Sequence, residues 1–248
     1  MSGHNKWSTI KHKKGAADAK RGKLFTKLIK ELTVAAREGG DEAANPRLRA
    51  AVQNAKAANM PNATIDRAIK RGTGEEGGAV YEEGLFEGYG PGGVAVMVET
   101  LTDNRNRTVA EVRHIFTKYN GNLAEKGAVG WMFDQRGMVE VDKEAVDEEE
   151  LMLAVMDAGA EDIQDAGGNH EVITPVEQFE AVKKSIEENG IPLGQASLVW
   201  LPQNLLEVEG KEVDQIIRLL EGLEDLDDVQ KVYSNFDVNE EELEKILA

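Results

Sequence analysis

The sequence predicts an α+β protein of three domains: an N-terminal small helical bundle, then two α/β sandwich domains, the last a ferredoxin-like βαββαβ insertion in the middle one. Three observations carry this. Charge divides the chain, because residues 1 to 75 hold 16 Lys/Arg and 7 Asp/Glu, a balance of +9, while residues 76 to 248 hold 13 and 39, a balance of −26. Apolar residues recur with helical period in the basic part and in short strand-like runs bounded by Gly, Pro and Asn in the acidic part. From residue 135 the segments run strand, helix, strand, strand, helix, strand. The boundaries fall at 1–76 for the basic helical domain with its arm, 77–134 plus 205–248 for a discontinuous α/β domain, and 135–204 for the inserted acidic domain.

The arm, Met1 to Arg21, carries Lys6, Lys11, His12, Lys13, Lys14, Lys20 and Arg21 around one acid, Asp18, with Trp7 and Ile10 available to anchor it or to stack on a base. From Lys20 a helix begins. Leu24, Leu28 and Leu32 with Phe25 and Ile29 make its buried face, and at about 100° per residue Lys20, Lys23, Lys27 and Lys30 share an arc of roughly 80° on the other side. This helix is expected to be apolar inward and basic outward, its lysines meeting phosphates. Gly39 and Gly40 stop it, and Asn45 before Pro46 reads as an N-cap with proline at the first helical position. Leu48, Ala51, Val52, Ala55 and Ala58 continue the period until Asn59, Met60 and Pro61 break it. A third helix carries Ile65, Ala68 and Ile69 to Gly72, with Arg67, Lys70 and Arg71 as another basic patch.

Residues 72 to 78 (GTGEEGG) read as a linker. Strands over Glu83 to Tyr89 and Gly93 to Leu101 then flank a glycine-rich turn, which explains Gly90, Gly92 and Gly93 better than a phosphate loop, since that loop must open a helix. Thr108 and Glu111 form a capping box after Arg105, Asn106 and Arg107, so those three make a candidate auxiliary anion site at a helix N-terminus, or ion pairs with local carboxylates. Val109, Val112, Phe116 and Tyr119 give that helix its buried stripe, with His114 read as a surface or packing residue. A strand is expected around Val129 to Phe133 with Trp131 in the core. The insertion follows: strand at Met138 to Val141, helix at Glu148 to Ala158, strands at Asp162 to Asp165 and Glu171 to Thr174, a helix from Pro175 to Asn189 capped by Thr174 with Glu177, and a strand from Ser197 to Leu201. Leu205 to Val208, a helix from Val213 to Leu223, a strand from Val229 to Tyr233 and an Asn239-capped helix complete the sheet begun near residue 80.

With no cysteine, disulfides, thiolate metal sites, iron–sulfur clusters and cysteine nucleophiles are excluded, and four histidines supply little metal chemistry. No apolar run approaches the roughly 18 residues of a membrane span, and the N-terminus has no signal-peptide pattern. No paired acids, nucleophile with base or ligand set stands out, and SxxK at Ser8 to Lys11 lies in the arm without a supporting motif. The expectation is a cytoplasmic, non-enzymatic protein without cofactor or metal. Its basic module meets a polyanion, duplex DNA or ribosomal RNA, and its acidic domains keep it soluble or meet a basic protein.

The stretches GHNKWSTIKHKKGAADAKRGKLFTKLIKEL, NPRLRAAVQNAKAANMP, GYGPGGVAVMVETLTDNRNRTVAEVRHIF and VGWMFDQRG resemble the signature blocks of the YebC/PmpR family, which also includes the mitochondrial translational activator of cytochrome oxidase subunit I. The resemblance is dense over residues 3 to 137. It implies a three-domain α/β protein with a helical N-terminal domain and no known catalysis, in the cytoplasm. It implies either a DNA-binding transcriptional regulator, taken as the leading reading, or a ribosome-associated factor that helps translation through stretches such as polyproline.

Overall fold

The computed structural model describes residues 17–239 and Glu241. The arm residues Lys6, Lys11, His12, Lys13 and Lys14, the side chains of Lys20 and Arg21, and the expected helix after Asn239 lie outside the described residues. Helices α1 (Ala17–Ala35), α2 (Pro46–Ala57) and α3 (Asn62–Gly72) form the first module. They pack around Leu32, Leu48, Val52, Met60 and Ile65, with five buried alanines that let the backbones approach. Approach is closest at Gly72, where a Cβ would run into the Thr33 carbonyl of α1. Asn45 caps as expected, its Oδ1 accepting from Leu48 N at 3.0 Å. Its Nδ2 also donates to the carbonyls of Ala35 (2.7 Å) and Gly39 (2.8 Å), so one buried side chain closes the end of α1 and the start of α2.

Strands β1 (Glu82–Tyr89) and β2 (Ala95–Thr102) pair antiparallel, from Glu82 opposite Thr102 to Tyr89 opposite Ala95. Their connection is the glycine-rich turn, with Gly92 and Gly93 at φ 70° and 81°. Left-handed backbone favours glycine there. After β2 come α4 (Arg105–Lys118) and the short β3 (Asn122–Leu123), which adds to β1. Much later in the chain, β8 (Leu206–Glu207), α7 (Lys211–Glu224), β9 (Val229–Ser234) and β10 (Phe236–Asp237) return to this layer. β9 pairs with the free edge of β2, giving the order β3-β1-β2-β9, and α4 and α7 cover one face through Val112, Phe116, Ile216 and Leu220 against Val96 and Val98.

Between these segments lie β4 (Phe133–Asp142), α5 (Glu148–Val155), β5 (Asp162–Ala166), β6 (Asn169–Thr174), α6 (Phe179–Glu188) and β7 (Ala196–Pro202). Their sheet runs β5-β6-β4-β7 with every neighbour antiparallel, which is the ferredoxin-like arrangement. Strand alternation divides the burial. Val139, Val141 and Val172 face α5 and α6, while Met138 and Ile173 face the other way and meet Ala95, Met97 and Tyr233 of the first sheet. β2 is therefore covered on both faces, which is why AVMV runs apolar without alternation.

Several local expectations are corrected. Residues Gly130–Met132 form a 3-10 turn, and the strand starts only at Phe133. Trp131 is not core: it is 68% exposed. Its loop is tied down by the buried Glu87 carboxylate, which accepts from the backbone of Gly127 (2.8 Å), Val129 (2.7 Å) and Gly130 (2.7 Å). Burial raises the pKa of Glu87, but these three donors outweigh it and hold the carboxyl below the usual range. Thr174 does not cap a helix; its hydroxyl donates to the Pro175 carbonyl at 2.8 Å, and a 3-10 turn, Val176–Gln178, precedes α6. Similarly, α4 starts at Arg105 with Asn104 as N-cap, whose side chain accepts from Arg107 N at 3.1 Å, so Thr108 and Glu111 form no box.

Candidate nucleic-acid interface

Lys23, Lys27 and Lys30 of α1 do not form a free outward face. Lys23 donates to the carbonyl and carboxylate of Asp225 at 3.2 and 2.8 Å, and Lys27 to the Glu224 carbonyl at 2.9 Å. Lys30 is buried; its Nζ reaches the carbonyls of Leu101 (3.3 Å) and Asp227 (2.8 Å) and Asp228 Oδ1 at 2.7 Å. Glu224 and Asp225 end α7, where unpaired carbonyls and the negative end of the helix dipole attract cations. Lys23, Lys27 and Lys30 thus act as a docking device, closing the C-terminus of α7. Periodicity placed these lysines opposite the core of their own module, and the second module supplied the partner that periodicity cannot see.

Asp228 is the centre of this joint. Its side chain is 3% exposed, and Oδ2 accepts from Thr102 (3.0 Å), Thr108 (2.8 Å) and Arg107 (2.6 Å from Nη2, 3.3 Å from Nε). Burial alone would raise its pKa, but the bonds from Lys30, Arg107 and Thr108 prevail and hold it at about 2. Arg107 also bonds Asp103 at 2.8 Å. Of the candidate anion site, Arg107 is therefore committed to carboxylates, while Arg105 and Asn106 are exposed. Nothing local in the sequence separates Asp228 from the other acids, since its five donors come from three distant segments.

Arg67, Lys70 and Arg71 have the exposure expected of them. They sit at i, i+3 and i+4 on α3, turned away from Ile65 and Ala68, and form no ion pair among the described residues. A different exposed feature was missed by sequence reading: Tyr89 and Trp131, 38% and 68% exposed, both donate to the Ala128 carbonyl, at 2.9 and 3.1 Å. Two exposed aromatic side chains are thus anchored to one backbone carbonyl. Among the described residues no group of three His, Asp or Glu side chains is placed to hold a metal ion, and no helix is long and apolar enough to cross a membrane.

Comparison with known proteins covers the whole chain. Residues 5–75 match the family described as the TACO1/YebC protein N-terminal domain, and residues 81–236 match the TACO1/YebC second and third domain. A relative from Geobacter sulfurreducens named "Probable transcriptional regulatory protein GSU1074" is 56% identical over 248 residues, covering 100% of both chains. A "Probable transcriptional regulatory protein" from Desulfatibacillum aliphaticivorans is 59% identical over 239 residues, covering 96% of this chain and 97% of that one. Among solved structures, a conserved hypothetical protein, Aq1575, from Aquifex aeolicus superimposes with a TM-score of 0.86 at 47% identity, covering 91% of this chain and 93% of that one. With both of its modules matched and its fold shared, the chain belongs to the TACO1/YebC family.

Proposed function

We propose that this protein is a non-enzymatic, cytoplasmic, nucleic-acid-binding regulator of gene expression that acts on transcription by contacting duplex DNA through its basic N-terminal module. The observation that carries this reading is the exposed patch of Arg67, Lys70 and Arg71, cations without ion-pair partners among the described residues on a module whose net charge is opposite to that of the rest. The names of its relatives support a regulatory role. The contact set combines this patch with Lys6, Lys11, His12, Lys13, Lys14, Lys20 and Arg21 of the arm. Lys23 adds to it from the half-exposed edge of the joint, whereas Lys27 and Lys30 serve docking. If three phosphates are neutralised by the patch, Arg67→Gln/Lys70→Gln/Arg71→Gln flattens the slope of log affinity against log salt on mixed-sequence duplex by about 0.9 per contact, about 2.7 in all. An unchanged slope sinks the reading.

A second reading, ribosomal RNA as the target, draws support from the Tyr89 and Trp131 rings, because unstacked RNA bases stack on exposed aromatic side chains. Titrating the DNA-bound protein with purified ribosomes at physiological salt separates the two. Transfer at far lower site concentration makes the protein a translation factor, and retention keeps it on DNA.

A further inference from the structure

Apart from Tyr89 and Trp131, the large apolar side chains left exposed among the described residues are mostly scattered. Leu24, Val80, Val176, Leu198 and Leu205 lie on separate elements or loops, as on any protein surface. Helix α5 is different. Its Met152, Leu153 and Met156 are 45%, 83% and 48% exposed. Met156 closes the helix with helical backbone angles, φ −64° and ψ −45°, so at about 100° per residue the three project within an arc of about 100°. They are neighbours at i, i+1 and i+4, turned away from Leu151 and Val155, which enter the core beside Val182 and Ile186 of α6. The fold has no use for them outside. Polar helix formers would hold an α5 that faced only water just as well, and a local rule broken without compensation points to function.

The charge around this face says what covers it. Glu148 stands one turn before Met152, Glu149 one turn before Leu153, and Asp157 follows Met156. All three carboxylates are exposed and form no ion pair among the described residues. Their own module has no cation to give them. Residues 135–204 contain four Lys/Arg, and each is engaged elsewhere: Arg136 with Glu161, Lys143 with Asp165, Lys183 with Glu180 and Lys184 with Glu188. We propose that this face of α5 is the docking site of a basic amphipathic helix of another protein. Its apolar side chains cover Met152, Leu153 and Met156, and its Lys or Arg side chains meet Glu148, Glu149 and Asp157. A straight apolar strip along a helix suits the ridge of a second helix, and thioether side chains adapt to its shape. A nucleic acid or an anionic membrane is repelled by the same carboxylates. The inference goes beyond the nucleic-acid reading, since it gives the acidic module a protein partner of its own.

The test titrates the full-length protein with a helical peptide of leucine and lysine whose leucines share one face, and with a control peptide of the same composition whose leucines are spread round the helix. Wild type is expected to bind the amphipathic peptide more tightly than the control. In Met152→Gln/Leu153→Gln/Met156→Gln the affinity for the amphipathic peptide falls about tenfold or more, since covering even one leucine is worth about that much. Glu148→Gln/Glu149→Gln/Asp157→Asn weakens binding and flattens its dependence on salt. Equal affinity of wild type and the apolar variant overturns the proposal, because the attraction then belongs to the acidic surface at large. So does a wild type that binds both peptides alike, or a charge variant with unchanged salt dependence. Sedimentation of the wild type alone supplies a further check: a dimer that the apolar variant abolishes makes a second copy the occupant and overturns the assignment to another protein. Circular dichroism of both variants matches that of the wild type, since the replaced side chains are exposed and glutamine is a good helix former.

Discussion

Replacing Asp228 with Asn keeps the shape of the side chain and removes the charge on which the joint between the modules converges. The substituted amide turns one of the two oxygens into a donor facing other donors, either Lys30 or the group of Thr102, Arg107 and Thr108. Lys30 is left as an ammonium that is 7% exposed and has no charge partner opposite. Two independent routes give the magnitude. A carboxyl held at about 2 rather than at the model-compound 3.8 contributes about 2.5 kcal/mol, at about 1.4 kcal/mol for each tenfold change in acidity. Removal of one partner from a buried pair costs about 3–5 kcal/mol. Asp228→Asn is therefore expected to destabilise the protein by about 2.5–5 kcal/mol at pH 7, measured by urea unfolding monitored by circular dichroism. The sign of the pH dependence follows from a depressed folded-state pKa. The contribution of Asp228 is present above pH 4 and is lost as pH falls through the window from about 4 to about 2, so the gap between wild type and variant closes there. A variant within about 0.5 kcal/mol of wild type at pH 7, the range of an ordinary surface change, would refute the view that this carboxylate holds the modules together.

Glu171 gives the opposite pH dependence. It is buried on β6 opposite Glu140, and burial first, then that neighbouring charge, raises its pKa to about 7. A raised folded-state pKa makes the protein most stable, with respect to this group, below the unfolded value near 4.5 and less stable as pH rises through about 7. Glu171→Gln should therefore raise the thermal midpoint at pH 8 and leave it nearly unchanged at pH 4.5; equal effects at both values would contradict the assignment. Asn45→Ala removes a cap and strands two carbonyls at the turn between α1 and α2. A cap alone is worth about 1 kcal/mol and each stranded buried group about 1–3 kcal/mol, so a loss of at least about 2 kcal/mol in urea unfolding is expected. A loss under 1 would show that water replaces these bonds without penalty.

The parts of this protein legible in its sequence are those decided within a few residues or by period. Asn45 and Pro46 announce α2 because an N-cap is a contact across three residues. The hairpin at Gly90 to Gly93 is visible because a left-handed backbone selects glycine. Errors came where a local pattern had a distant competitor. Thr108 has the spacing of a cap, but its hydroxyl donates to Asp228, 120 residues away, and the helix starts earlier on Asn104. Trp131 has the character of a core residue, but Glu87 holds the backbone of Gly127, Val129 and Gly130 just before it, and the indole is exposed.

By itself the sequence determined the charge division, the three helices of the basic module, the βαββαβ order and the exposed patch at Arg67, Lys70 and Arg71. Each follows from covalent spacing, since helical and strand periods fix which side chains share a face. Only tertiary structure decided which cations remain for a partner. An ion pair depends on the distance between groups and on their burial, and both are set by how the second module packs on the first. That packing gave Lys30 and Arg107 to Asp228 and left Arg67, Lys70 and Arg71 without ion pairs among the described residues.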